Sequence, residues 1–189
     1  MVLKSLLGAL ALLAACHAPR PSTVADLPPL VLHDTAGATT TLPADLTGAR
    51  FTVVVFYAEH CPCFQVHEAR LLDLARTYAD RGVKVVLVDS EADATPERDA
   101  HEAAARGLPP IVLDPGARLA DALGAEYATF AVVFDPMGQV RYRGGIDDDK
   151  NVLHAEARPW LRDALDDLLA GNAPRRAEGK ALGCALQKQ

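Results

Sequence analysis

A buried-strand pattern that runs directly into two cysteines constrains this chain more than any other feature. Residues 51–57 read FTVVVFY, an apolar and β-branched run typical of strands that are covered on both faces. Cys61-Pro62-Cys63 follows, and after it come apolar residues at helical spacing. We therefore predict a strand, a short connection and a helix with Pro62 in its first turn, where a missing N–H costs nothing.

Two thiols at a strand-to-helix junction indicate redox or metal chemistry. The N-terminus of a helix carries partial positive charge, which favours thiolate over thiol and raises its nucleophilicity. We expect Cys61 to be an exposed attacking thiol, with Cys63 or Cys184 resolving the mixed disulfide. A Cys61–Cys63 ring would be small and strained, whereas the segment after Gly171 is long enough to bring Cys184 back. A free terminal thiol on a loose tail is the alternative.

The N-terminus predicts export and lipid anchoring. Residues 1–15 contain one lysine and an apolar run that is too short to span a bilayer, as in a signal peptide. The end of this run, Ala14-Ala15-Cys16, resembles the lipobox of bacterial lipoproteins, whose cysteine becomes the lipidated first residue. An ordinary signal cleaved nearby is the alternative. Residues 16–26 are then a flexible tether, residues 27–171 the domain, and residues 172–189 a tail that carries Cys184.

Export and charge together predict the surroundings and the partners. A lipid-anchored protein of the bacterial cell envelope or periplasm works where disulfides form and persist. The chain has 19 basic and 25 acidic residues, a formal net charge of −6 and no cluster of Lys and Arg, so nucleic acid is not expected as a partner. The expected partners are protein thiols and disulfides of the envelope, and a membrane reached through the N-terminal lipid.

The remaining elements predict an α/β sandwich, with a central mixed β-sheet and helices on both faces. The expected order is a hairpin at 30–42, the strand at 51–57 and its helix, a strand at 83–88, a helix from Pro96, a strand at 111–113, a short helix at 116–123, a hairpin over 130–142 and a final helix at 157–170.

This order, with cysteines after the first central strand, resembles the thioredoxin fold, and more narrowly the exported TlpA/AhpC-TSA "redoxin" group. The segments that carry the resemblance are VVVFYAEHCPCF, VKVVLVDS, the hairpin ATFAVVFDPMGQVRYRG and the terminal Gly183-Cys184. The resemblance implies a thioredoxin-like (redoxin) domain and thiol–disulfide oxidoreductase activity without a cofactor.

Several positions depart from the pattern of these relatives. Phe64 stands where thioredoxins have the second cysteine, and Thr129 stands where they have a cis-proline. Peroxiredoxins place Pro and Thr four and three residues before the reactive cysteine, whereas this chain has Tyr57 and Ala58, so peroxidase activity is not expected.

The departures leave two other functions open. Cys61, Cys63 and His67 resemble the site of Sco-type copper chaperones, since thiolate and imidazole suit Cu(I), which would make the protein a copper-binding chaperone or sensor. A catalytically inactive redoxin that serves as an interaction module is the third reading. Glu59 is a candidate proton acceptor, and Asp147-Asp148-Asp149 is a candidate acidic rim or simply a solvated loop.

Overall fold

The computed structural model describes residues 22–188. The predicted signal peptide, the lipidation at Cys16 and most of the tether therefore lie outside the described residues. The elements are, in chain order, β1 (Leu30–Asp34), β2 (Thr39–Leu42), β3 (Phe51–Tyr57), α1 (Pro62–Ala79), β4 (Val83–Asp89), α2 (Pro96–Arg106), β5 (Ile111–Leu113), α3 (Arg118–Leu123), β6 (Ala131–Phe134), β7 (Val140–Gly144) and α4 (Trp160–Leu169).

Seven strands form one mixed sheet in the order β2-β1-β5-β4-β3-β6-β7. β3 lies parallel to β4 and β4 lies parallel to β5, whereas the other neighbouring pairs are antiparallel. Parallel neighbours need a crossover connection, and α1 and α2 provide it. The predicted α/β architecture with a mixed central sheet is confirmed.

β3 is the centre of the core. All seven of its residues are buried, which explains why its sequence is continuously apolar rather than alternating. The neighbouring strand β6 is buried along its whole length as well. Each large apolar side chain removed from water contributes about 1.5–3 kcal/mol to folding. The strand that leads into the cysteines is therefore held firmly in place.

The last helix is shorter than the sequence predicted. It begins at Trp160 rather than at Ala157, and the correction comes from Pro159, which precedes the helix with a non-helical ψ of 71°. The ring of a proline disfavours the α conformation for the residue before it, so Arg158 cannot continue a helix into Pro159.

The packed part of the chain begins before Leu27. Residues Val24–Asp26 form a 3-10 turn capped by Thr23, and Val24 is buried. The N–H of Val24 donates to the carbonyl oxygen of Gly138 over 2.6 Å, which ties this segment to the β6–β7 turn. Within residues 22–188, no helix combines the length and the apolar character that crossing a bilayer requires.

Candidate active site

The junction between β3 and α1 places two cysteines at the start of a helix. Cys61 is the N-cap residue of α1, Pro62 is its first residue, and Cys63 follows in the first turn. The Cys61 Sγ accepts a hydrogen bond from the N–H of Phe64 over 3.3 Å, in the way that a Ser or Asp cap would. The predicted strand, connection and helix are therefore present, with Pro62 where no N–H is needed.

The third cysteine returns to the same junction from the C-terminal tail. The N–H of Cys184 lies 3.3 Å from Sγ of Cys61 and donates to it. The sulfur atoms of Cys61, Cys63 and Cys184 all lie within 4.8 Å of one another, and none is in a disulfide. The structure thus brings together the three sequence-predicted cysteines and gives Cys184 a fixed place at the site.

Backbone contacts guide the tail to this place in two steps. It first runs beside β7, where the N–H of Arg143 donates to Ala177 and the N–H of Gly179 donates back to Arg143, over 2.9 and 2.8 Å. It then pairs antiparallel with residues 126–128. There the N–H of Ala128 donates to the Cys184 carbonyl over 2.9 Å, and the N–H of Leu186 donates to that of Glu126 over 3.0 Å.

The expected exposure of Cys61 is wrong. Cys61 was expected to be exposed, but only 1% of its surface is accessible, and Cys63 is buried as well. The tail packs closely against the edge of the site, since a Cβ atom at Gly183 would collide with the carbonyl oxygen of Ala128. Leu186, three residues after Gly183, is buried as well and holds the end of the tail segment in place.

Burial sets the protonation of two of the thiols. It raises the pKa of Cys63, and the neighbouring Cys61 raises it further. Burial together with the hydrogen bond and charge of Cys61 raises the pKa of Cys184 to about 12. Both thiols therefore hold their protons at neutral pH while the three sulfurs are reduced and covered.

His67 lies one helical turn after Cys63, but its ring nitrogens are bonded to groups other than the three sulfur atoms. Its Nδ1 donates to the carbonyl oxygen of Cys63 over 2.5 Å, and its Nε2 donates to Asp147 over 2.8 Å. A carbonyl and a carboxylate only accept hydrogen bonds, so both ring nitrogens carry a proton. Burial alone would lower the pKa of His67, but the bonds to Asp147 and Cys63 outweigh it and raise the pKa. His67 is therefore not placed as the third metal ligand of the Sco-like reading.

The acidic loop, Asp147-Asp148-Asp149, packs against α1 beside the site and is not a solvated rim. Asp147 and Asp149 are buried, and both accept hydrogen bonds from Arg70, over 2.6 and 2.8 Å. Burial would raise the pKa of Asp147, but the hydrogen bonds from His67 and Arg70 reverse that effect and lower it. Only Asp148 points outwards, where it pairs with Arg158.

The other candidate groups have structural partners. Glu59 forms an ion pair with Arg98 over 2.9 Å, and Arg98 also binds the buried Asp89 and Asp99. Phe64, at the position of the missing second cysteine, is 1% exposed and packs edge-on against Tyr57 with ring centroids 5.0 Å apart. An aromatic ring therefore fills the space that a second thiol would take in a Cys-x-x-Cys site.

Thr129, at the position of the missing cis-proline, is buried and has a φ of +69°. This left-handed conformation is rare for a β-branched residue and carries local strain. Its N–H donates to Phe56 over 2.9 Å, and the adjacent N–H of Ala128 faces the tail. The Thr129 turn therefore shapes the edge on which Cys184 is seated.

The fold and the paired cysteines define a thioredoxin-like protein. A structure of an uncharacterised conserved protein of Geobacillus kaustophilus has 25% identity and a TM-score of 0.80, and it covers 92% of this chain and 94% of its own. A hypothetical protein of Sinorhizobium meliloti has 24% identity and a TM-score of 0.79, covering 92% and 96%. A putative thioredoxin of Neisseria meningitidis has 21% identity and a TM-score of 0.56, covering 66% and 81%.

The chain belongs to the Redoxin family, whose model matches residues 22–159. No curated protein matches the chain. The predicted thioredoxin-like fold and redoxin membership are confirmed, and they indicate oxidoreductase-type chemistry in general. The family model ends before α4 and before the tail that carries Cys184.

Sequence reasoning missed the hydrogen-bonded group beside the cysteines, in which the partly exposed Arg70 joins the buried residues His67, Asp147 and Asp149. One signal was available. His67 and Arg70 are three residues apart, so they lie on one face of the predicted helix, and a charged group that becomes buried requires a partner. The run Asp147-Asp148-Asp149 had no assigned partner in the sequence analysis and was a candidate to pair with these two residues.

Proposed function

We propose that this protein is a thiol–disulfide oxidoreductase whose redox centre consists of Cys61, Cys63 and Cys184. The observation that carries the proposal is the approach of all three sulfurs to within 4.8 Å at the N-terminus of α1. Membership of the Redoxin family supports the class of chemistry. Protein disulfides or dithiols are the proposed substrates.

Cys61 is the proposed nucleophile. Its sulfur faces two backbone N–H groups, those of Phe64 and Cys184, and such donors bind a thiolate more strongly than a thiol. The thiolate attacks one sulfur of a substrate disulfide. The substrate S–S bond breaks, a Cys61–substrate disulfide forms, and the departing substrate sulfur takes up a proton.

Cys184 is the proposed resolving residue. Once Cys61 is in the mixed disulfide, its charge no longer raises the pKa of Cys184, and the Cys184 thiol can lose its proton. The Cys184 sulfur then attacks Sγ of Cys61, the mixed disulfide breaks, and the second substrate thiol leaves with that proton. Two electrons have then passed from the enzyme dithiol to the substrate, and the same steps in reverse oxidise a substrate dithiol. A Cys61–Cys184 disulfide avoids the strained Cys-x-Cys ring. Cys63 then remains a free thiol that can exchange with this disulfide.

The covered state implies that the tail opens during turnover. Cys61 is 1% exposed, so a protein substrate reaches it only when residues 183–186 leave the edge formed by residues 126–128. These residues are held by the backbone hydrogen bonds at Cys184 and Leu186 and by the buried Leu186 side chain, and so short a segment opens at lower free-energy cost than global unfolding. The tail therefore serves as both the resolving arm and the cover.

Insulin reduction and disulfide mapping test the proposal together. The full chain carrying Cys16→Ser leaves the three site thiols, and Cys61→Ser, Cys63→Ser and Cys184→Ser are compared with it. Cys61→Ser should abolish exchange, and Cys184→Ser should accumulate the mixed disulfide. The exposed His60→Ala, next to Cys61, is the matched control.

Two results would count against this function. Exchange that survives Cys61→Ser removes the nucleophile. The inactive interaction module is favoured if the unsubstituted site reduces no insulin although added oxidants and reductants convert its three thiols.

We also propose that the protein is exported and held at a bacterial envelope membrane through a lipid on Cys16. The apolar run that ends in Ala14-Ala15-Cys16 supports this proposal. Mass spectrometry of the mature protein should find a diacylglyceryl-modified N-terminal cysteine. An intact Met1, or an unmodified Cys16 inside the mature chain, would contradict it.

A further inference from the structure

The three sulfurs have the spacing of a ligand set for a soft metal ion. They lie within 4.8 Å of one another, and three thiolates at about 2.3 Å from one ion would be about 4 Å apart in trigonal geometry. Side-chain rotations that move each sulfur by well under an ångström would close the set. The backbone of the junction and of the tail need not change.

The number of donors selects the ion. Among residues 22–188, the metal-ligating groups gathered at this point are these three sulfurs and no others. Both nitrogens of His67 are hydrogen-bonded to other groups, and Glu59 is paired with Arg98. Protein zinc sites are almost always four-coordinate, whereas thiolate ligands also select Cu(I), which accepts three.

Burial favours the same ion, and backbone dipoles stabilise the negative charge of the site. Cys61 and Cys63 are 1% and 4% exposed and Cys184 is partly buried, which limits access for the water that would complete a four-coordinate zinc site. Three thiolates around a monovalent ion carry an excess of negative charge. The N-terminus of α1 and the two N–H groups directed at Sγ of Cys61 lie where they offset that charge.

We propose that the reduced protein binds one Cu(I) ion through Cys61, Cys63 and Cys184, with the tail cysteine as the third ligand. Binding and disulfide formation then compete for the same sulfurs, so only the reduced protein takes the ion. The copper site does not depend on exchange activity, because no step of substrate reduction is needed to form it.

Anaerobic titration tests the site directly. Reduced full chain carrying Cys16→Ser is titrated with Cu(I) against a chromogenic Cu(I) chelator, and the copper environment is measured by X-ray absorption. We expect one equivalent of copper and three sulfur neighbours. We also expect the bound ion to protect all three cysteines from alkylation.

The variants separate this ligand set from its alternatives. Cys184→Ser should lower the affinity for Cu(I) at least about tenfold and leave two sulfur neighbours, whereas the exposed His60→Ala should change neither; a thermal melt verifies that each variant is folded. A nitrogen neighbour, or an affinity that Cys184→Ser leaves unchanged, would overturn the proposal. Tighter binding of Zn(II) than of Cu(I) would overturn the choice of metal. Insulin reduction by the metal-free protein is scored separately, so that a failure of either proposal is recognised by itself.

Discussion

The backbone N–H of Cys184 donates to Sγ of Cys61 over 3.3 Å although the two residues are 123 positions apart in the sequence. One end of the site is thus supplied by the β3–α1 junction and the other by a tail that lies beyond the Redoxin match, which ends at residue 159. The tail lies against Cys61, the proposed nucleophile, and brings it the proposed resolving thiol. In the proposed mechanism one segment therefore controls both access and resolution.

Gly183→Ala should loosen the tail. The added methyl group would collide with the carbonyl oxygen of Ala128, whereas a methyl group at Gly179 would lie 3.4 Å from the Tyr142 hydroxyl, an ordinary contact. We expect Cys61 in the reduced Gly183→Ala protein to be alkylated about tenfold faster, the effect of about 1.4 kcal/mol on the opening equilibrium. Equal alkylation rates in Gly183→Ala and Gly179→Ala would show that the tail does not limit access.

Phe64→Ala should destabilise the fold beside the cysteines. Phe64 is 1% exposed and its ring packs edge-on against Tyr57. Truncating a buried aromatic side chain costs about 3–5 kcal/mol, from lost burial and from the cavity that remains. Urea denaturation at pH 7 measures the loss, with the exposed neighbour Gln65→Ala as control. A loss below about 1 kcal/mol would mean that the space collapses or that the ring is not packed.

The sequence was sufficient for the parts of the fold that depend on local pattern. Phe51–Tyr57 is continuously apolar because β3 is covered on both faces, and Pro62 marks the first turn of α1. These signals act between residues close in the chain. They are enough to predict β3, α1 and the position of Cys61 and Cys63 at the junction between these two elements.

The contacts that complete the site were less predictable because they join distant segments. Reach alone allowed Cys184 to return, but the paired edge at residues 126–128 that seats it has no sequence signature. His67 and Asp147 are 80 residues apart, and either one alone is indistinguishable from a surface residue. The expected exposure of Cys61 is wrong, since the residue is buried and the N–H of Cys184 in the tail lies against its sulfur.

Asp147→Asn should remove a pH-dependent part of the stability. The hydrogen bonds from His67 and Arg70 lower the pKa of Asp147 in the folded protein despite its burial. A carboxyl group with a lowered folded pKa contributes stability above its unfolded pKa of about 3.9, and this contribution is lost as the pH falls through the folded pKa.

The variant should therefore lose about 3–5 kcal/mol at pH 7, because a buried charged group loses its partner. The difference from wild type should begin to shrink below the unfolded pKa of about 3.9, where the unfolded chain takes up the proton, and should go on shrinking as the pH falls through the lower folded pKa of Asp147. Urea denaturation at several pH values checks the effect, with the outward-facing Asp148→Asn as control. A difference that is constant between pH 7 and pH 3 would contradict the assignment.

Oxidation should stabilise the protein through Cys184. A Cys61–Cys184 disulfide joins residues 123 positions apart, and on the chain-entropy model a loop of this length adds about 4–5 kcal/mol, although measured gains are often smaller. The native state needs little rearrangement, because the three sulfurs already lie within 4.8 Å. In Cys184→Ser only the Cys61–Cys63 ring remains, and so short a loop constrains the unfolded chain very little. Urea denaturation of oxidised and reduced protein should therefore show a large gain for the chain with all three site cysteines and almost none for Cys184→Ser. A gain of equal size in both would mean that Cys61 pairs with Cys63 and that the tail cysteine takes no part.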